Sequence, residues 1–154
     1  MPLPEPVRPS DRDAVVALLA AYADAIDAGD FSLVADLLAA AEVQTADGLV
    51  VATGRDEVLA MYQGTTRLHH DGTPRTAHLV ANVVVEPGDG PDHLRSRSRF
   101  VVLQSTDRVP LQPVVAGRYE EEFVRQGGGW RFSVRRMVPQ LWGDVTDHLT
   151  FDPR

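Results

Sequence analysis

Apolar residues follow one period in the first half of this chain and another in the second, so helices are expected first and strands after them. From Val15 onward, Leu18, Leu19, Tyr22 and Ile26 recur at the three-and-four spacing of an amphipathic helix. Ser10 followed by Asp13 has the form of a weak capping box, which places this first helix at residues 10–28. Gly29 ends it, and Asp30 caps a second helix over 31–41 with Phe31, Val34, Leu37 and Leu38 as its stripe. Short strands at 42–45 and 49–52 flank an Asp47-Gly48 hairpin turn. A third helix is expected over 55–63, with Val58, Leu59 and Tyr62 turned inward, and then a loop over 64–74.

The second half alternates instead. Residues 75–86 form the longest strand-like run, with His78, Val80, Asn82 and Val84 on one face and Leu79, Ala81, Val83 and Val85 on the other. Both faces are mostly apolar, so both are expected to be covered. Strands follow at 93–106, 111–125 and 130–138, the last two joined across Gly127-Gly128-Gly129. Alternation groups Ser96, Ser98, Phe100, Val102 and Gln104 on one face, opposite Arg95, Arg97 and Arg99. It groups Gly117, Tyr119 and Phe123 opposite Arg118, Glu120 and Glu122. The Glu120-Glu121-Glu122 run is expected to include solvated positions that pair with cross-strand arginines such as Arg97, Arg99, Arg131 or Arg135.

Helices followed by a long antiparallel sheet mean an α+β fold. The economical form is a cone-like, curved mixed or antiparallel β-sheet wrapped around three N-terminal helices, with an internal pocket between the first helix and the concave face. The expected organisation is a flexible tail over residues 1–9, one domain over 10–140, and a C-terminal tail over 141–154. That last segment carries Leu141 and Trp142 as anchors for the pocket mouth or a partner.

Composition narrows the function. With 154 residues, 44% hydrophobic and 24% charged, the chain has the size and balance of one globular domain. Its 15 basic and 22 acidic residues are dispersed, which excludes the clustered cations that nucleic acid or an anionic membrane needs. There is no cysteine, so disulfides and thiolate chemistry are excluded. The adjacent His69 and His70 have no ligand partner at helical spacing, so no metal and no cofactor is expected. No apolar run approaches the roughly 18 residues of a membrane span, and a cytoplasmic location is expected. The triple glycine lacks a following Lys-Ser/Thr and is a turn, not a phosphate loop.

Two residues carry candidate chemistry. His78 lies on a covered strand face. Asp27 lies on the flank of the first helix's apolar stripe, in line with Val16, Ala20 and Ala23, whereas Asp24 points away. Burial and the helix dipole are expected to raise the Asp27 pKa, the direction a general acid or base requires.

Several segments together resemble a family. They are residues 22–31 (Tyr-Ala-Asp-Ala-Ile-Asp-Ala-Gly-Asp-Phe), Thr53-Gly54-Arg55-Asp56-Glu57-Val58, Thr76-Ala77-His78-Leu79-Val80-Ala81-Asn82, Gly117-Arg118-Tyr119, and Gly129-Trp130-Arg131-Phe132. In this order they resemble the SnoaL-like branch of the nuclear transport factor 2-like superfamily, which includes scytalone dehydratase, ketosteroid isomerase and polyketide cyclases. The resemblance runs from about Asp11 to Val138. It implies a cone with a deep pocket, commonly in a homodimer formed here through the outer sheet face. Asp27 and His78 correspond to the dehydratase's pocket aspartate and catalytic histidine. Its second histidine corresponds to Gln104, its serine and asparagine to Gly117 and Tyr119, and its helix-one tyrosine to Ile26. The implied function is a cofactor-independent dehydratase, isomerase or cyclase, acting on a small oxygenated cyclic metabolite of polyketide-like or aromatic type. His78 oriented by Asp27 would be the base, and Tyr22, Ile26, Tyr62, Asn82, Phe100, Gln104 and Tyr119 would contact the substrate. The alternatives are a non-catalytic binding or dimerisation module of the same fold, and the small subunit of a ring-hydroxylating dioxygenase.

Overall fold

The computed structural model describes Pro2, Leu3 and residues 6–154, so the tail expected over 1–9 falls partly outside the described residues. Helix α1 spans Pro9–Asp27 and begins at its proline, not behind Ser10. Pro9 has no N–H to satisfy and its fixed φ suits the first turn, so Arg8 becomes the N-cap without a side-chain cap bond. Val15, Leu19, Tyr22 and Ile26 are all buried, as their spacing predicts. Helix α2, Phe31–Leu37, is shorter than expected; the Leu33 N–H donates to Asp30 Oδ1 at 3.0 Å, so the expected cap is present. Helix α3, Arg55–Thr65, continues through Gly64 to the end of the next turn.

Six strands form one curved mixed sheet in the order β2-β1-β6-β5-β4-β3. They are β1 (Glu42–Gln44), β2 (Val50–Thr53), β3 (Thr76–Pro87), β4 (His93–Gln104), β5 (Gln112–Gln126) and β6 (Gly129–Trp142). Strands β1 and β6 run parallel and every other neighbouring pair is antiparallel. Three helices on such a sheet are the α+β architecture the patterning predicts. The final strand is longer than expected and takes in Leu141 and Trp142, paired with Ala116 and Val115.

Two irregularities shape the sheet. At Gly117 a side chain would collide with the Val138 carbonyl oxygen, and the β5–β6 register shifts between Ala116 and Gly117, so the strands bend together there. On β3 the register against β4 shifts between Ala81 and Val84, with Asn82 at φ 54°. Asparagine tolerates this left-handed conformation better than the valines around it. The extra residue reverses the alternation: His78 opposite Val102 and Val80 opposite Phe100 lie on the concave side, and beyond the bulge Val85 opposite Ser96 does so. Asn82 is therefore exposed. The expectation that both faces of this strand are covered also fails. Ala77, Leu79 and Ala81 are exposed on the convex side, Leu79 at 54%.

Candidate active site

A cavity of about 500 Å³ opens between α1 and the concave face of the sheet. Helix residues Tyr22, Ile26, Met61 and Tyr62 line one side; His78, Phe100, Val102, Tyr119, Met137 and Trp142 line the other. The chain end closes it with His148, Leu149 and Phe151. Of the residues expected to contact a ligand, Tyr22, Ile26, Tyr62, His78, Phe100 and Tyr119 reach this space, and two do not. Asn82 is turned outward by its bulge. Gln104 is on the concave side but is 2% exposed, and its Nε2 donates to the carbonyls of Pro74 (3.0 Å) and Asp147 (2.9 Å). The loop before β3 and the C-terminal segment thus cover it. Phe31 and Phe123 belong to the helix-side core.

Asp27 is the last residue of α1 and stands behind His78. Its Oδ1 accepts from the His78 ring Nδ1 at 2.6 Å and from Thr76 Oγ1 at 2.7 Å; its Oδ2 accepts the His78 backbone N–H at 2.7 Å. An ionised carboxylate can only accept, so Nδ1 carries a proton, and Nε2 is the nitrogen whose lone pair is exposed whenever the ring holds only that one. Both side chains are shielded, His78 at 5% exposure and Asp27 at 23%. The Asp27 pKa moves opposite to expectation. Burial does push it up, but the hydrogen bond and charge of His78, the His78 amide and Thr76 together hold it below the usual carboxylate range. Asp27 is therefore a fixed anion that orients a ring, and His78 is the group that meets the cavity.

The aromatic wall is ordered by polar contacts. Tyr22 and Tyr62 share a hydroxyl–hydroxyl bond of 2.8 Å, and Tyr119 stacks on Phe100 with ring centroids 4.4 Å apart. Burial pushes the Tyr62 and Tyr119 hydroxyls up, so both stay protonated phenols. Beneath them the Arg135 guanidinium lies 3.6 Å from the Tyr22 ring centroid and 4.0 Å from that of Tyr119. Arg135 pairs with Glu121, its cross-strand neighbour, and both are fully buried. Alternation already puts Glu121 on the face of Tyr119 and Phe123, so within the acidic run this position is not solvated.

His148 is a titratable cavity residue that periodicity missed, because it follows the last strand in a segment with no repeat. It is 6% exposed, and its ring centroid lies 6.3 Å from that of His78. Burial first, and the neighbouring His78 second, lower its pKa to about 4, against a smaller opposing effect of Asp27. The two loop histidines are elsewhere: His69 Nε2 donates to the Asp147 carbonyl at 2.9 Å, and exposed His70 is 3.8 Å from Asp107. Among the described residues no three His, Asp or Glu side chains cluster as a metal site would require, and no helix is long and apolar enough to cross a membrane.

Solved structures with this architecture include a nuclear transport factor 2-like protein with a cystatin-like fold from Novosphingobium aromaticivorans. It is 22% identical, with a TM-score of 0.68 over 84% of this chain and 82% of its own. A protein from the same organism, provisionally described as a scytalone dehydratase, is 21% identical with a TM-score of 0.69 over 88% and 87%. The β subunit of a provisionally assigned aromatic-ring-hydroxylating dioxygenase, again from that organism, is 18% identical with a TM-score of 0.67 over 89% and 94%. No curated protein matches the chain. At these identities the likeness establishes the nuclear transport factor 2-like fold. The SnoaL-like domain model matches residues 8–136, most of the sequence, and the chain belongs to the SnoaL-like family.

Proposed function

We propose that this protein is a cofactor-independent dehydratase, isomerase or cyclase for a small oxygenated cyclic metabolite, polyketide-like or aromatic. The observation that carries this is the 2.6 Å bond from Asp27 to His78 Nδ1, which leaves Nε2 as the acceptor on the wall of a mostly apolar cavity. A base so placed can take the proton next to a ring carbonyl. The electron pair then moves into an enolate. If a β-hydroxyl leaves and collects the proton from His78, the products are an enone and water; if the proton returns to another carbon, the outcome is isomerisation. Tyr119 and Tyr22, as protonated phenols or in contact with one, supply dipoles near a developing oxyanion. The cavity volume suits one or two rings. The structural relative described as a scytalone dehydratase points to the same class of chemistry.

The test is turnover of a panel of cyclic β-hydroxy ketones and diketones by the wild type and by His78→Ala. Loss of at least about a hundredfold in rate is expected in the variant. A wild type inert to the whole panel, or a variant as fast as the wild type, would falsify this function.

We further propose that the convex face makes a homodimer. Leu79, Val101, Ala116 and Leu141 pair directly across four strands and form an apolar row, with Leu79 54% and Leu141 70% exposed. Sedimentation should show a dimer that Leu79→Arg converts to monomer; an unchanged state in the variant would move the contact elsewhere.

A further inference from the structure

The geometry points to His148 as a second catalytic residue, a hydrogen-bond donor to the substrate oxygen opposite His78. Taking as given the proposed enolisation at His78, it supplies the electrophile that the reaction needs on the other side of the carbonyl. His148 lies beyond the span 8–136 that the family model matches, on the segment that closes the cavity.

Three observations place it there. First, the two rings face one cavity with centroids 6.3 Å apart and planes at 64°. That spacing lets an α-carbon approach one ring while its carbonyl oxygen approaches the other, each contact at about 3 Å. Second, the two nitrogens of His148 differ. Nδ1 is buried without a hydrogen-bond partner, which leaves Nε2 as the atom that can reach a ligand. Putting the proton on Nε2 avoids an orphaned buried donor and gives the cavity an N–H. Third, the segment is held firmly. The Asp147 carbonyl accepts from Gln104 Nε2 and His69 Nε2, both at 2.9 Å, and the Asp147 carboxylate accepts from Thr106 (2.7 Å) and Arg108 (3.0 and 3.1 Å). On the other side the His148 carbonyl accepts the Arg67 N–H at 2.8 Å, and Leu149 bridges Thr66. An imidazole flanked by such anchors is oriented before any ligand arrives. Gln104 thereby serves the site by positioning His148, not by touching substrate.

The roles divide without conflict. His78 Nε2 receives the carbon-bound proton. The enolate oxygen accepts a hydrogen bond from His148 Nε2–H, which keeps its proton throughout. The leaving hydroxyl takes the proton from His78, and the carbonyl reforms. Burial keeps the His148 ring neutral, which suits a donor that must not ionise.

The probe is para-nitrophenolate, a planar oxyanion that mimics the enolate, with nitrobenzene as the neutral control. In the wild type, NMR of the imidazole nitrogens should show both His78 and His148 shifting as the phenolate is added. His148→Phe, which keeps the ring packing, should weaken phenolate binding about tenfold or more and leave nitrobenzene within about twofold. If His78 alone shifts, or His148→Phe binds the phenolate as the wild type does, His148 has no such role while the function proposed for His78 stands. If the phenolate does not bind the wild type at all, the oxyanion contact proposed for His148 is overturned, while turnover of the ketone panel still decides the function proposed for His78.

Discussion

Two acid–base pairs lie inside this cone, and they differ in what surrounds them. Glu121 and Arg135 are wholly buried, with the guanidinium against the rings of Tyr22 and Tyr119. Asp27 and His78 are also hydrogen-bonded to each other, yet one face of the imidazole meets open space. The first pair has no room for a ligand; its charges are committed to each other and to the aromatic wall. The second leaves one nitrogen free, while the carboxylate behind it accepts three hydrogen bonds from Thr76 and His78. What distinguishes the pair proposed as a base from the packing device is the unoccupied nitrogen beside a cavity, not the presence of paired charges or a shifted pKa.

The largest effect should come from breaking the closed pair. Arg135→Met leaves Glu121 buried without its cation and should cost about 3–5 kcal/mol in chemical unfolding, whereas Glu121→Leu with Arg135→Met should recover much of it. A double variant no more stable than the single one would mean that Arg135 supports the wall chiefly through its stacking on the tyrosines. The next effect concerns His148. Its folded pKa of about 4 lies below the ordinary 6.5. Between those values the unfolded chain binds a proton that the folded chain refuses, so stability falls as pH drops from 6.5 to 4. That contribution is about 3 kcal/mol at most, set by burial, by His78 and His69, and against them by Asp27. His148→Phe should flatten unfolding free energy over this window; an unchanged slope would mean that another group titrates there.

A smaller stability effect, with a larger functional one, is expected of Asp27→Asn. The lowered Asp27 pKa means its stabilisation is present above the ordinary carboxylate value of 3.8 and is lost as pH falls through the folded value. At neutral pH the variant should lose about 1–2 kcal/mol and bind ligand nearly as before, yet react more than tenfold slower because the His78 ring is no longer fixed in one tautomer. Equal rates would reduce Asp27 to a packing role like that of Glu121.

How much of this could be read from the chain depends on how local each cause is. The spacing of Val15, Leu19, Tyr22 and Ile26 places one helix face, and two-residue alternation places His78, Phe100 and Tyr119 on the concave side. Both are short-range signals that tertiary packing preserved. Asn82 went astray because a single bulged residue inverts every later assignment on its strand. Gln104 has the right face but lies under a segment more than 40 positions later in the chain, and alternation carries no information about such a cover. His148 is beyond the reach of periodicity for the same reason: its place depends on Leu149 pairing with Thr66 and on Gln104 holding Asp147. Glu121 is the instructive middle case. Its face was readable, but three consecutive glutamates have the composition of a solvated edge.

The reaction proposed for His78 is removal of a proton from carbon. That step is visible by NMR in deuterated water, as exchange of the hydrogens beside the carbonyl of a cyclic β-hydroxy ketone. Wild-type protein should accelerate exchange, and His78→Gln, with its fold checked by circular dichroism, should slow it by at least about a hundredfold. Exchange at the same rate in wild type and variant, or none above the buffer rate in either, would mean that His78 is not the base.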